Sequence, residues 1–124
     1  MIDFTNAKYA KLVPVDNQEG VSLAGPLLVD GEDIIYSFKS IRDMVIFTNK
    51  RIIAVNVQGL TGAKKDITSL PFSKIQAFSV ETAGTFDLDC ELDLWFSGMG
   101  KVRFEFMRNF DIRTISKIIG QYVL

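Results

Sequence analysis

Residues 44–57 read MVIFTNKRIIAVNV, two β-branched and apolar runs on either side of a short polar break. A break this short predicts an antiparallel hairpin turning at Asn49 and Lys50, with Asn49 supplying the left-handed backbone that tight loops favour. Pairing across that loop puts Val45, Phe47, Ile52 and Ala54 on one face and Met44, Ile46, Ile53 and Val55 on the other. Both faces are apolar. Antiparallel sheets ordinarily keep one side wet, so the second face needs a cover. Two covers fit: another part of the chain, either the N-terminal segment or a helix, or a neighbouring subunit that would make Met44, Ile46, Ile53 and Val55 an oligomer interface.

Outward from the hairpin, short segments rich in Ile, Val, Phe and Thr recur between turn residues, which predicts a meander of about seven strands. They are expected near 33–40, 42–48, 51–58, 64–70, 74–83, 86–97 and 101–107. Gly59 and Gly62 bracket one connection, and Gly98 and Gly100 close the last hairpin. In the segment Phe86–Phe96 every even position is apolar, while Asp87, Asp89, Glu91 and Asp93 lie between. One face is core and the other wet. The next strand repeats the pattern, with Lys101, Arg103 and Glu105 placed to meet those carboxylates.

Beyond Met107 the period changes. Ile112, Ile115, Ile118, Ile119 and Tyr122 draw one stripe along a helix, with Asn109 as the expected N-cap and Asp111 near the first turn. Pro14, Gly25 and Pro26 interrupt the first thirty residues, where only a short helix over 5–13 suggests itself. The expected organisation is one domain over 1–124: an irregular or short helical segment 1–30, a β-sheet core 31–108 and a capping helix 109–124. The fold class is mainly β with a C-terminal α-helix, a strongly bent sheet or partly open barrel.

Composition excludes several functions. The 14 Lys and Arg stand against 15 Asp and Glu, so no bulk positive field gathers nucleic acid. There is no His, which removes the commonest general base and zinc ligand together. No phosphate loop or dinucleotide fingerprint occurs, and no cofactor and no enzymatic activity are expected. The carboxylates at 87, 89, 91 and 93 are spaced along a line and cannot close around one ion, so no metal is expected. The lone Cys90 alternates with core leucines and reads as an inert thiol in a cytoplasmic protein. No signal peptide or apolar span is visible.

Four stretches in order resemble the bacterial pleckstrin-homology-like domains: Asp30-Gly31-Glu32-Asp33-Ile34, Phe47-Thr48-Asn49-Lys50-Arg51-Ile52-Ile53, Leu70-Pro71-Phe72-Ser73-Lys74-Ile75 and Glu81-Thr82-Ala83-Gly84-Thr85-Phe86-Asp87-Leu88-Asp89. The resemblance covers roughly Asp30 to the C-terminus and implies a bent seven-stranded antiparallel sheet capped by the C-terminal helix. It also implies closed cyclic homo-oligomers, a pentamer as the expected ring, with a polar surface near the seam for an unidentified protein partner. Arg42, Asp43, Arg51, Glu81, Asp87 and Asp89 are the expected partner-binding residues. Lipid-binding relatives in eukaryotes carry denser Lys and Arg at the first hairpin, where this chain has Lys39 and Arg42, and they place a Trp in the helix, whereas Trp95 sits on a strand. Anionic lipid, read through Lys39, Arg42, Lys50 and Arg51, is therefore the alternative to a homo-oligomeric adaptor.

Overall fold

The hairpin forms in the expected register, with Met44 opposite Val55, Val45 opposite Ala54, Ile46 opposite Ile53 and Phe47 opposite Ile52. A computed structural model describes residues 11–85, 89–107 and 110–124. Its strands are β1 (Val13–Val15), β2 (Ile34–Ser40), β3 (Asp43–Thr48), β4 (Arg51–Gln58), β5 (Lys64–Pro71), β6 (Ile75–Glu81), β7 (Cys90–Phe96) and β8 (Gly100–Phe106). Helix α1 (Asn17–Ala24) follows β1, and α2 (Ile112–Val123) follows β8. Two compact units result, one on Pro14–Pro71 and one on Phe72–Leu124 with the segment ending at Val13. The first holds the five-stranded sheet β1-β2-β3-β4-β5 and the second the three-stranded sheet β6-β7-β8.

The second face of the hairpin is covered from within the chain. Met44, Ile46, Ile53 and Val55 are buried with Ala24, and Val15, Leu23, Leu28, Ile34 and Val57 pack around them. The assignment of these four residues to an oligomer interface is thus corrected, because the N-terminal segment that carries α1 occupies that face. On the opposite face Val45, Phe47, Ile52 and Ala54 are equally buried, and Phe38 sets its ring edge-on to Phe47 at 5.7 Å.

Helix α1 lies within the segment 1–30 expected to be irregular or short helical, but beyond 5–13, where the helix was placed. Its start carries a signal, since Asp16 caps it by accepting a 2.8 Å hydrogen bond from the Gln18 N–H and Glu19 stands in the first turn. Pro14 and the Gly25-Pro26 pair masked that signal as breakers. Gly20 in fact serves close packing: a methyl there would sit 2.3 Å from Ser37 Oγ on β2. The expected helix over 5–13 lies outside the described residues up to residue 10; beyond them Leu12 bridges Phe106 and Val13 begins β1.

The hairpin turn also differs from expectation. Among the described residues outside glycine, only Lys11 and Ile41 have positive φ, so Asn49 does not supply a left-handed turn. Instead Thr48 Oγ1 accepts the N–H groups of Lys50 and Arg51, each at 3.0 Å, and satisfies the tight loop by side chain.

In the second unit Leu92, Leu94, Val102, Phe104 and Phe106 are fully buried. The β8 edge is extended by Leu12, whose N–H donates to Glu105 O and whose carbonyl accepts from the Met107 N–H, both at 2.9 Å. Helix α2 packs on β6 and β7, with Ile112, Ile115 and Ile119 inward and Tyr122 stacked on Phe72 at 5.9 Å. Its N-cap is Asp111, which accepts a hydrogen bond from the Arg113 N–H, while the expected cap Asn109 lies outside the described residues. The first three residues of the expected strand 86–97 do too, and regular pairing starts at Cys90.

The Gly20–Ser37 contact predicts coupled stabilities. Ser37 Oγ is buried without a hydrogen-bond partner, so Ser37→Ala is expected to be neutral or mildly stabilising. Gly20→Ala gains helix propensity of up to ~1 kcal/mol only when Ser37 is also Ala, and loses that gain against the wild-type hydroxyl. Urea denaturation of the two single variants and the double variant measures the coupling; strict additivity refutes the contact.

Candidate binding surface

Five of the six expected partner-binding residues are described, divided between the two units. Arg42 and Asp43 stand where β2 turns into β3, and Arg51 stands at the far end of six-residue β3, ~17–20 Å away. Glu81 and Asp89 belong to the other unit, and Asp87 lies outside the described residues.

Arg51 holds the fold together. Its Nε and Nη2 meet the two Glu32 oxygens at 2.9 Å each, Nη2 also donates to Leu27 O at 2.8 Å, and Nη1 donates to Ser69 Oγ at 2.8 Å. The Glu32 side chain is wholly buried. Thr48 Oγ1 donates to it at 2.6 Å and the Val29 N–H at 3.1 Å. Asn49 adds two stitches, accepting from the Asp33 N–H and donating to Gly31 O, each at 2.9 Å. The segment 27–33 is thereby tied to the hairpin tip. Burial pushes the Glu32 carboxyl up, but the hydrogen bonds from Arg51, Thr48 and Val29 and the Arg51 charge outweigh it, leaving its pKa below the ordinary glutamate value. Asp43 is similarly occupied, accepting from the Val57 N–H at 2.9 Å and from Asn56 Nδ2 at 3.2 Å.

On the three-stranded sheet the expected cross-strand charge pairing is present. Arg103 bonds Asp93 through Nε at 2.8 Å and Nη2 at 3.0 Å, and reaches Glu91 at 3.4 Å. Asp89 pairs with Lys11. The register also sets Glu81 opposite Glu91 and Glu91 opposite Glu105, a row of like charges across three strands that no single strand reveals. Burial, and then the repulsion of Glu81, Glu105 and Asp93 against the pull of Arg103, raise the Glu91 pKa. No group of three potential metal ligands gathers among the described residues. Cys90 is buried, its Sγ 3.8 Å from Phe110 O.

One candidate surface is the Arg42 end of the five-stranded sheet. An open cleft of ≈ 350 Å³ lies there, floored by Leu23, Met44 and Val57 and rimmed by Lys39, Arg42, Lys65 and Glu19. Arg42 Nη2 donates to Gly59 O, tying the β2–β3 turn to the loop between β4 and β5. Lys39 pairs with Glu19 at 3.7 Å, and Lys65 donates to Gly62 O at 3.1 Å. Of the residues named from sequence, Lys39 and Arg42 belong to this end, whereas Lys50 and Arg51 stand at the opposite one. Lys65 joins them only through the register that sets it beside Val57.

Residues 3–123 match the model of the bacterial PH domain family. The chain belongs to that family. This bacterial PH domain is 44% identical over 96 residues to the uncharacterized protein YjqA of Bacillus subtilis, an alignment covering 76% of this chain and 77% of that one. It is 32% identical over 97 residues to YozO of the same organism, covering 78% and 83%. Among solved structures, it resembles a DUF1696 family protein with a pleckstrin-homology domain from Shewanella loihica, at 40% identity and a TM-score of 0.80, covering 93% of this chain and 99% of that one. A pleckstrin homology domain from Shewanella amazonensis is 38% identical with a TM-score of 0.67, covering 98% and 99%. No helix among the described residues of the bacterial PH domain is long and apolar enough to cross a membrane.

The two perturbed glutamates predict opposite pH responses. Glu32 is held below its ordinary value, so its stabilisation is present above about pH 4.5, the unfolded value, and is lost as pH falls through the lower folded one. Arg51→Ala strands the Glu32 charge and is expected to cost about 3–5 kcal/mol at pH 7, with a smaller deficit at pH 4. Glu91 is raised, so its ionisation opposes folding. Glu91→Gln is expected to stabilise by a few tenths to ~1 kcal/mol at pH 7 and to lose that advantage once the carboxyl is protonated. Denaturant titrations at the two pH values test both; equal effects at both pH values contradict the assignments.

Proposed function

We propose that this bacterial PH domain is a non-catalytic adaptor that assembles with copies of itself through strand edges and offers polar residues near the seam to another protein. The observation that carries the reading is the state of two edges. Among the described residues, strands β5 and β6, of eight and seven residues, each have a partner strand on one side only within their sheets. Monomers usually guard such edges with charges, prolines or bulges along their length. Here the central Ile67-Thr68-Ser69-Leu70 of β5 and Ala77-Phe78-Ser79-Val80 of β6 contain no charge and no proline, and the irregularity in the β6 pairing is confined to its start, between Ile75 and Ala77.

Edges of different kind on one chain favour a head-to-tail contact, which closes into a ring when its rotation allows. A closed ring, with the pentamer as the expected form, is the assembly proposed, working in the cytoplasm, where the free thiol of Cys90 stays reduced. The absence of His from the sequence, which removes the commonest general base, supports a binding role over catalysis.

Sedimentation velocity over a concentration series tests the reading. The wild type is expected to sediment as a defined species larger than the 13.9 kDa chain. Ile67 is 40% exposed on β5, so Ile67→Lys is expected to leave the fold intact and shift the population to monomer. A wild type that is monomeric at every concentration overturns the proposal.

A further inference from the structure

The open cleft lies between helix α1 and the Arg42 end of the five-stranded sheet. Glu19, Ser22 and Leu23 of α1 line one side, and Met44 of β3 and Val57 of β4 join Leu23 in an apolar floor. Its ≈ 350 Å³ stands near the small end of the ~300–1,000 Å³ range of ligand sites. It is a concavity, which a protruding side chain can enter and a flat surface cannot fill. The rim is unbalanced in charge, because Lys39, Arg42 and Lys65 stand against Glu19 alone. The carboxylates of Asp43 and Asp66, near this end, are engaged by the Val57 N–H and the Thr68 hydroxyl.

Each rim cation is held before any ligand arrives. Arg42 Nη2 donates to Gly59 O, Lys65 Nζ donates to Gly62 O at 3.1 Å, and Lys39 Nζ lies 3.7 Å from Glu19 Oε1. A guanidinium has five donors and an ammonium three, so these bonds orient the cations, leave donors for a ligand and lower the ordering cost of binding. The Lys39–Glu19 pair is the loose member: its separation exceeds the ~2.7–2.9 Å of a charge-assisted hydrogen bond, and both side chains are nearly half exposed. Glu19 thus occupies a place that a ligand carboxylate would take over. Two exposed aliphatic tips stand on the loops beside the rim, Ile41 next to Arg42 and Leu60 next to Gly59. Ile41 keeps its β-branched side chain at a φ of 46°, against backbone preference, and strain of this kind gathers at ligand clamps.

We infer that this cleft docks an acidic segment of a partner protein, with an aliphatic side chain entering over Leu23, Met44 and Val57 while carboxylates beside it in the segment meet Lys39, Arg42 and Lys65. An apolar floor selects the aliphatic group, and the cationic rim selects the charge around it. The inference rests on the adaptor reading and gives its unidentified partner a chemistry. Lys65 belongs to the start of edge strand β5, so the cleft stands at one end of the edge through which the chain is proposed to assemble. A ring would present several such clefts and multiply a weak single contact.

Fluorescence anisotropy of the full chain with three labelled peptides tests the inference: a leucine flanked on both sides by glutamates, the same peptide with alanine for the leucine, and the same with glutamine for the glutamates. The wild type is expected to bind the first, to bind the alanine peptide about tenfold more weakly and to ignore the glutamine peptide. Binding of the first should weaken as salt rises from ~0.1 M to ~0.5 M. Lys39→Gln with Lys65→Gln should weaken it about tenfold at an unchanged melting temperature, since both side chains lie at the surface. Glu19→Gln should strengthen it about threefold, because the internal competitor for Lys39 is gone; a role of the cleft in folding alone would not produce a gain. A wild type that binds none of the peptides, or all three alike, overturns the inference, and so do lysine and Glu19 variants that bind as the wild type does. Flotation with vesicles containing phosphatidylglycerol by a wild type that binds no peptide also overturns it, and assigns the cations to lipid. Sedimentation velocity of the same samples reads assembly separately: a ring that binds no peptide sinks this inference alone, and a monomer that binds the leucine peptide sinks the ring alone.

Discussion

Everything in the first unit depends on the hairpin of β3 and β4 being apolar on both faces. Such a hairpin cannot lie at a wet surface, because Met44, Ile46, Ile53 and Val55 would leave several apolar side chains in water at ~1.5–3 kcal/mol each. The chain answers by returning its own N-terminal segment over them. Covering a sheet with an eight-residue helix is only partly a hydrophobic matter, since α1 is short and its apolar stripe narrow. What locates it is the close approach at Gly20 and the clasp formed by Arg51 and Glu32.

That clasp has the form of a buried ion pair whose every polar atom is used. Glu32 is satisfied by Arg51, Thr48 and the Val29 amide, and Arg51 extends the network to Leu27 and Ser69. Isolated buried pairs contribute little against the desolvation of their charges. A fully bonded one fixes geometry, and here it joins the segment before β2 to the tip of the hairpin and the edge strand β5. Arg51, expected as a partner-binding residue, thus has its guanidinium engaged within the first unit, and the open cleft lies at the opposite end of the sheet.

The two ends of the five-stranded sheet follow different rules. At the Arg51 end every local choice agrees with the fold: Thr48 closes the turn, Asn49 stitches it, and no residue is strained. At the Arg42 end the chain keeps a β-branched residue at positive φ and two aliphatic tips in water. Local conflicts of this kind in an otherwise consistent chain mark places where function competes with stability. The like-charge row of Glu81, Glu91 and Glu105 is a second such conflict, softened by Arg103.

Alternation and its change of period determined the fold class from sequence alone. The strands from Ile34 to Phe106, the register of the hairpin and the stripe of α2 all follow from short-range geometry, in which side chains repeat every two or every three to four residues. The same short range explains what was hidden. Helix α1 carries a capping signal, but Pro14, Gly25 and Pro26 read locally as breakers, and only the crossing over Ser37 shows that glycine is needed at position 20. No period distinguishes Arg51, which is half-buried against Glu32, from Arg42, which is exposed beside Ile41; both are arginines at strand ends. The sequence could state that the hairpin needed a second cover, and could not choose between a subunit and the chain itself. Only tertiary structure decides such questions, because they turn on which residues distant in sequence arrive at one place, and burial and hydrogen bonding belong to that place and not to the residue.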